Sequence, residues 1–170
     1  ADLANSWAGY EPRELERLKV FRHLLPETIN AIIAERKKSI PALHKLGTDM
    51  AVPDVHLDEI WQLYKQRVQD EGLEWAAFGH IGNNHIHVNI LPRNLSELEK
   101  GMGLYEEFAI RAVALGGTVS AEHGIGKIKR KFMTLMYTPE QIEQMRQVKV
   151  AIDPQGLFNL QDMFLGEVAQ

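Results

Sequence analysis

Residues 74–91 read Glu74-Trp75-Ala76-Ala77-Phe78-Gly79-His80-Ile81-Gly82-Asn83-Asn84-His85-Ile86-His87-Val88-Asn89-Ile90-Leu91. Glu74 to His80 and His85 to Leu91 have the composition of two strands, and Gly82-Asn83-Asn84 between them is turn chemistry. The segment is therefore predicted to be a β-hairpin. Side chains alternate faces along a strand. Ile86, Val88 and Ile90 share one face and should bury, while His85, His87 and Asn89 share the other and should line something wet or ligand-filled. His80 reaches the same end of the hairpin from the partner strand.

Outward from the hairpin, the chain alternates helical and extended patterns. Pro12 to Lys38 carries Leu15, Leu18, Phe21, Leu24 and Leu25 at helical spacing. Pro26 is expected to interrupt that helix, since proline has no N–H to donate. Met50 to Pro53 reads as a short strand, Asp58 to Asp70 as an amphipathic helix, and Asn94 to Leu115 as a longer helix with Ser96 as a candidate cap. Gly116-Gly117 breaks it, and Thr118-Val119-Ser120 is a short extended piece. Thr138-Pro139-Glu140 starts a last helix that runs to about Ile152, followed by the turn Asp153-Pro154-Gln155-Gly156 and an irregular tail. The spacing is not that of a regular βαβ array. The expected class is α+β, an antiparallel sheet with helices packed mainly on one face.

The chain has 170 residues, enough for one domain with a real core. Its 45% hydrophobic and 25% charged content is that of an ordinary globular protein. The net charge of −4 carries no global signal for nucleic acid or an acidic membrane surface. The absence of cysteine excludes disulfides, thiolate metal sites and cysteine catalysis within this sequence. No apolar run is long enough to span a bilayer, and Ala1-Asp2-Leu3-Ala4-Asn5-Ser6-Trp7 has neither the basic start nor the apolar stretch of a signal peptide. Gly101-Met102-Gly103 lies inside a helical pattern and does not follow a strand, so it is not a dinucleotide loop.

A second chemical segment is Ala121-Glu122-His123-Gly124-Ile125-Gly126. Histidine and glutamate are ligands for Zn²⁺ or Mn²⁺, and histidine takes up a proton near neutral pH. Glu122 and His123 are neighbours and point in different directions, so one can hold a metal while the other faces a substrate. The structural alternative is a helix N-terminus with Glu122 near its positive end. The following basic run, Lys127, Lys129, Arg130 and Lys131, reads as a solvated face, or as an attractor of an anionic substrate.

These segments together resemble the C-terminal domain of FAD-linked oxidases that act on 2-hydroxy acids. That family includes D-lactate dehydrogenases, the flavin subunit of glycolate oxidase and D-2-hydroxyglutarate dehydrogenase. Its signature His-x-Gly-Asp-Gly-Asn-x-His-x-Asn stands here as residues 80–89, and Gly-Glu-His-Gly-x-Gly-x-x-Lys as residues 121–129. Asp-x-x-x-Pro stands as Asp49 to Pro53, and Asp-Pro-x-Gly-x-x-Asn as Asp153 to Asn159. The resemblance implies a ferredoxin-like domain in which His80, His87 and Glu122 hold a divalent metal, Zn or Mn. It makes His123 the catalytic base, Asn89 a substrate contact, Arg22 the partner of the substrate carboxylate and Asn159 a cofactor contact. The reaction implied is oxidation of a small 2-hydroxy acid to a 2-oxo acid, with hydride passing to FAD. Three departures stand out: Asn83-Asn84-His85 replaces Asp-Gly-Asn, Ala121 replaces glycine, and Gly47 stands where some relatives have lysine.

The resemblance further implies that residues 1–170 form a substrate- and metal-binding cap domain whose FAD-binding partner domain lies upstream. The isolated piece is then expected to be inactive. It is expected in the cytoplasm or at the periphery of a membrane, and an exposed sheet edge would favour a homodimer. Nucleic acid is not an expected partner. The competing readings are a non-catalytic ligand-binding or assembly module on the same fold, and a metallohydrolase in which Glu122 or His123 activates water.

Overall fold

The computed structural model describes residues 8–159 and 161–164. The first helix, α1 (Pro12–Ser39), begins with proline in its first turn, and the Glu14 carboxylate accepts the N–H groups of Glu11 (3.2 Å) and Tyr10 (3.0 Å). It runs unbroken through Pro26, against the sequence expectation. Proline removes one helical donor. The carbonyl it deprives, that of Arg22, is on an exposed stretch where water can take the donor's place. Only Ile29 and Ile33 of α1 are buried, packed on Leu91, Ala76 and Phe78. Arg36 ties this end of the helix to the hairpin, donating to the Leu91 carbonyl (2.5 Å) and to Glu74 (2.7 Å). Farther back, Leu15, Phe21, Leu24 and Leu25 are exposed.

Three antiparallel strands, β1 (Leu46–Gly47), β2 (Trp75–His80) and β3 (His85–Ile90), form one sheet in the order β1-β3-β2. The predicted hairpin is the β2–β3 pair, with Ala77 opposite Val88, Phe78 opposite His87 and His80 opposite His85. A short 3-10 turn, Ile81–Asn83, and Asn84 at φ 51° reverse the chain. The early strand lies upstream of its expected position. Pairing runs through Leu46 and Gly47, with Thr48 still bonded to β3, and Met50 to Pro53 keeps only isolated bridges from Ala51 to His85 and Thr118. Pro53 cannot extend a ladder there.

One sheet face carries Val88 and Ile90 with Ile86 and Ala77 beside them. It packs against α2 (Leu57–Asp70) and α3 (Leu95–Ala114) through Ile60, Tyr64, Val68, Leu104 and Phe108. The Tyr64 and Phe108 rings pack with centroids 4.6 Å apart, tilted at 59° to each other. The N-cap of α3 is Asn94, accepting the Glu97 N–H at 2.9 Å, rather than Ser96. The buried end of α1 covers part of the opposite face, so helices lie on both sides of the sheet. The order β1-α2-β2-β3-α3 is α+β as expected. A ferredoxin-like fold has a further strand after its second helix; among the described residues that place holds the single Thr118–Ala51 bridge.

Gly117 makes that bridge possible. A Cβ there would stand 2.2 Å from the Ala51 carbonyl oxygen, so only glycine lets the chain leave α3 so close to residues 49–51. Beyond it come short helices α4 (Gly126–Lys129) and α5 (Met133–Met136), then α6 (Pro139–Ile152) with a Thr138–Gln141 capping box. Asp153 closes the following turn by accepting the N–H groups of Leu157 (2.9 Å) and Phe158 (3.0 Å).

Candidate active site

The hairpin end and the loop at 120–124 meet. Glu122 Oε2 stands 3.3 Å from His80 Nε2, 3.6 Å from His87 Nε2 and 3.6 Å from His85 Nδ1. Ring centroids of His85 and His87 are 4.1 Å apart, and those of His87 and His123 are 5.3 Å apart. Strand alternation explains the histidine pair: His85 and His87 share a face, and the cross-strand partner of His85 is His80. Both His85 (4% exposed) and His87 (9%) are buried, whereas His80 and Glu122 are open to solvent.

His80, His87 and Glu122 offer ligand atoms that all lie within 4.8 Å of one another. Two ligands held ~2.1 Å from a tetrahedral Zn²⁺ are separated by ~3.4 Å, and the observed 3.3 and 3.6 Å bracket that spacing. His87 Nδ1 stands 2.8 Å from the Thr48 carbonyl oxygen. Nδ1 must therefore carry the proton, which leaves the Nε2 lone pair free for a metal. The donor set fits a divalent ion.

A second grouping, Asp49, His85 and His87, meets the same spacing. Its carboxylate is already committed. Asp49 Oδ2 accepts from the His123 N–H (3.0 Å), the Ser120 hydroxyl (3.0 Å) and Lys129 Nζ (2.5 Å), and Oδ1 accepts from the Glu122 N–H (3.1 Å). Asp49 is thus a buried structural acceptor. His85 Nε2 lies 3.0 Å from Asp49 Oδ1 but makes no hydrogen bond. Burial first, and the neighbouring His87 second, push the His85 pKa down, which keeps it neutral.

The sequence matches the profile of FAD linked oxidases, C-terminal domain, over residues 20–161. The chain belongs to that family. It is 30% identical over 154 residues to a D-lactate dehydrogenase of Archaeoglobus fulgidus, covering 90% of this chain and 32% of that protein. It is 27% identical over 141 residues to glycolate oxidase subunit GlcD of Bacillus subtilis, covering 79% and 30% respectively. A D-2-hydroxyglutarate dehydrogenase of Stutzerimonas stutzeri is 28% identical over 151 residues, covering 86% and 31%. The chain therefore spans about a third of the length of these relatives.

The family's signature residues stand in different surroundings. His80, His87, Glu122 and His123 come together. Asn89 lies on the same strand face but is 2% exposed, and its amide donates to the His87 carbonyl at 3.3 Å. Arg22 sits on the exposed stretch of α1, two turns before the first buried residue of that helix. Asn159 lines a cleft of about 890 Å³ that also receives His123, Arg146 and Lys149. The polar face of β3, expected to line something wet or ligand-filled, is largely buried. Lys129 corrects the reading of the basic run as a solvated face: it is 7% exposed and turned onto Asp49. Ser120 and Thr48 received no role from sequence reasoning, and Lys129 none beyond the basic run. Asp49 and Lys129 did stand in quoted family patterns, which was the available signal.

Asp49 also makes the fold acid-sensitive. Burial works to raise its carboxyl, but donation from Lys129, the His123 N–H and Ser120 outweighs this and holds the pKa at about 2, against 3.8 ordinarily. A folded value below the unfolded one gives stability that is present above pH ~4 and lost as pH falls towards 2. The amount is about 2 kcal/mol. Urea unfolding of wild type and Asp49→Asn should differ most at pH 5 and converge near pH 2. Parallel curves for the two proteins across that range would refute the assignment.

Among the described residues, no helix is long and apolar enough to cross a membrane.

Proposed function

We propose that this chain is the substrate-binding and catalytic-base domain of an FAD-dependent enzyme that oxidises a small 2-hydroxy acid, such as D-lactate or glycolate, to the 2-oxo acid. The carrying observation is the convergence of two separated segments, His80/His87 and Glu122/His123, into one donor set with a neighbouring base. Membership of the FAD-linked oxidase family supports the reading, as do relatives named for lactate, glycolate and 2-hydroxyglutarate.

In this reading His80, His87 and Glu122 hold a Zn²⁺ or Mn²⁺ ion. Such an ion supplies Lewis acidity that lowers the pKa of a substrate hydroxyl, and three protein ligands leave room for a 2-hydroxy acid. FAD, carried on a partner domain, supplies the hydride acceptor. His123 takes the hydroxyl proton on an imidazole nitrogen. Thr48 keeps His87 in its Nδ1–H form. Arg22 is assigned to the substrate carboxylate, which its planar fork can bind through both oxygens. Asn89 supports the substrate end of the site and Asn159 the flavin side. Among the described residues the outer edge of β2 pairs with no strand, and it is the surface assigned to a homodimer.

The test is anaerobic flavin absorbance on the intact flavin-bearing protein, titrated in turn with D-lactate, glycolate and D-2-hydroxyglutarate. Bleaching by one of them is expected. A flavin that stays oxidised with all three, in a protein that binds Zn²⁺ at the histidines, would favour a non-catalytic binding module.

A further inference from the structure

The loop that carries Glu122 and His123 has no regular secondary structure. Its geometry has to be imposed from elsewhere, because neighbouring exposed side chains on an irregular loop are not held by a helix or a ladder. Three consecutive amides of this loop donate to a single residue 72 to 74 positions away. Ala121 N–H donates to the Asp49 backbone carbonyl (2.8 Å), Glu122 N–H to Asp49 Oδ1 (3.1 Å) and His123 N–H to Asp49 Oδ2 (3.0 Å).

The residue before it serves the other half of the site. Thr48 receives His87 Nδ1 on its carbonyl (2.8 Å), while its hydroxyl accepts the Val88 N–H (2.9 Å). Two adjacent residues thus set both the hairpin donors and the loop donors. The Asp49 carboxylate is itself immobilised: Lys129 Nζ reaches Oδ2 at 2.5 Å and Ser120 Oγ at 2.9 Å, and Ser120 also donates to Oδ2. Asp49 and Lys129 are both buried, at 2% and 7% exposure. Desolvation offsets much of the attraction within a buried ion pair. Directional N–H acceptance is what this pair adds here.

We infer that Asp49 is a positioning residue of the candidate site. Its two carboxylate oxygens set where Glu122 and His123 stand, and Lys129 with Ser120 holds the carboxylate in place. The inference rests on the reading of His80, His87 and Glu122 as ligands. It extends that reading to a residue outside that ligand set.

The test uses the 170-residue chain with Zn²⁺ alone as the probe, read by calorimetry, and with amide hydrogen exchange by NMR. Asparagine at position 49 keeps one acceptor oxygen and puts an NH₂ opposite the other N–H. Asp49→Asn is expected to weaken Zn²⁺ binding ~10–100-fold, as loss of an outer partner of a ligand does. The Glu122 and His123 amides should exchange ~10-fold faster, with protection in β3 and α3 retained. Asp49→Asn/Lys129→Met removes the stranded ammonium, so it supplies a folded protein should the single variant unfold, and it should show the same losses. Val68→Ala, a core change in α2, controls for general destabilisation and should keep both Zn²⁺ affinity and loop protection. Wild-type affinity and loop protection in a folded Asp49 variant, or equal losses in Val68→Ala, would overturn the inference. A wild-type chain that binds no Zn²⁺ would overturn the metal reading instead, and amide exchange would then decide the positioning role by itself.

Discussion

Replacement of His123 by alanine in the flavin-bearing protein is expected to slow flavin reduction by the 2-hydroxy acid ~10²–10⁴-fold, the range a positioned general base contributes. Zn²⁺ affinity should stay near wild type, because His123 lies outside the donor set formed by His80, His87 and Glu122. His87→Ala should do the reverse at the first step. It removes the buried member of the proposed donor set, whose tautomer is set by Thr48, and metal affinity should fall by more than the ~10–100-fold typical of an outer partner. The two variants separate proton transfer from metal binding. Calorimetry with Zn²⁺ and anaerobic stopped-flow absorbance of the flavin are the measurements. Full-speed reduction in His123→Ala would remove it as the base. Wild-type metal affinity in His87→Ala would remove the ligand assignment.

Gly79→Ala should be among the most damaging single-methyl changes in the chain. A Cβ at this position would stand 2.2 Å from the His85 carbonyl oxygen and 3.0 Å from the Ile86 Cα. Those are backbone atoms of the paired strand, so no side-chain rotation relieves the clash. Gly79 sits opposite Ile86, one residue before His80. Relief therefore means separating β2 from β3 where the histidines are presented. A loss of ~3 kcal/mol or more is expected from overpacking and backbone strain together. The measurement is urea unfolding, with Zn²⁺ affinity of the folded fraction beside it. A cost under ~1 kcal/mol would mean that the hairpin tolerates local opening.

Local patterns made the hairpin legible. Alternation in 85–90 and turn chemistry at 82–84 sufficed to put His85 and His87 on one face and Ile86, Val88 and Ile90 on the other. The helices read from apolar spacing match α1, α2, α3 and α6 to within a residue or two at most ends. Where the reading failed, the deciding interaction was distant. Pro26 did not break α1, because an exposed carbonyl can turn to water. The early strand moved to Leu46–Gly47 because β3 supplied the partner, with Leu46 opposite Ile90 and Gly47 opposite Asn89. Lys129 left the solvated basic run because a buried carboxylate was waiting for it across the fold.

By itself the sequence determined the hairpin, the α+β class and the residue types able to bind a metal and move a proton, since these follow from periodicity, turn chemistry and side-chain chemistry within a few residues. It also contained the family signatures, as contiguous runs. Tertiary structure alone decided which of those groups meet. It brought Glu122 to His80 and His87, buried His85 beside Asp49, and left Arg22 on an exposed helix away from the buried end of α1. It also put the Thr48 carbonyl against His87 Nδ1 and the Asp49 carboxylate against the Glu122 and His123 amides. Such contacts join positions about 40 to 80 residues apart. No local pattern encodes them, because the free energy of each depends on burial that exists only once the sheet, α2 and α3 have packed.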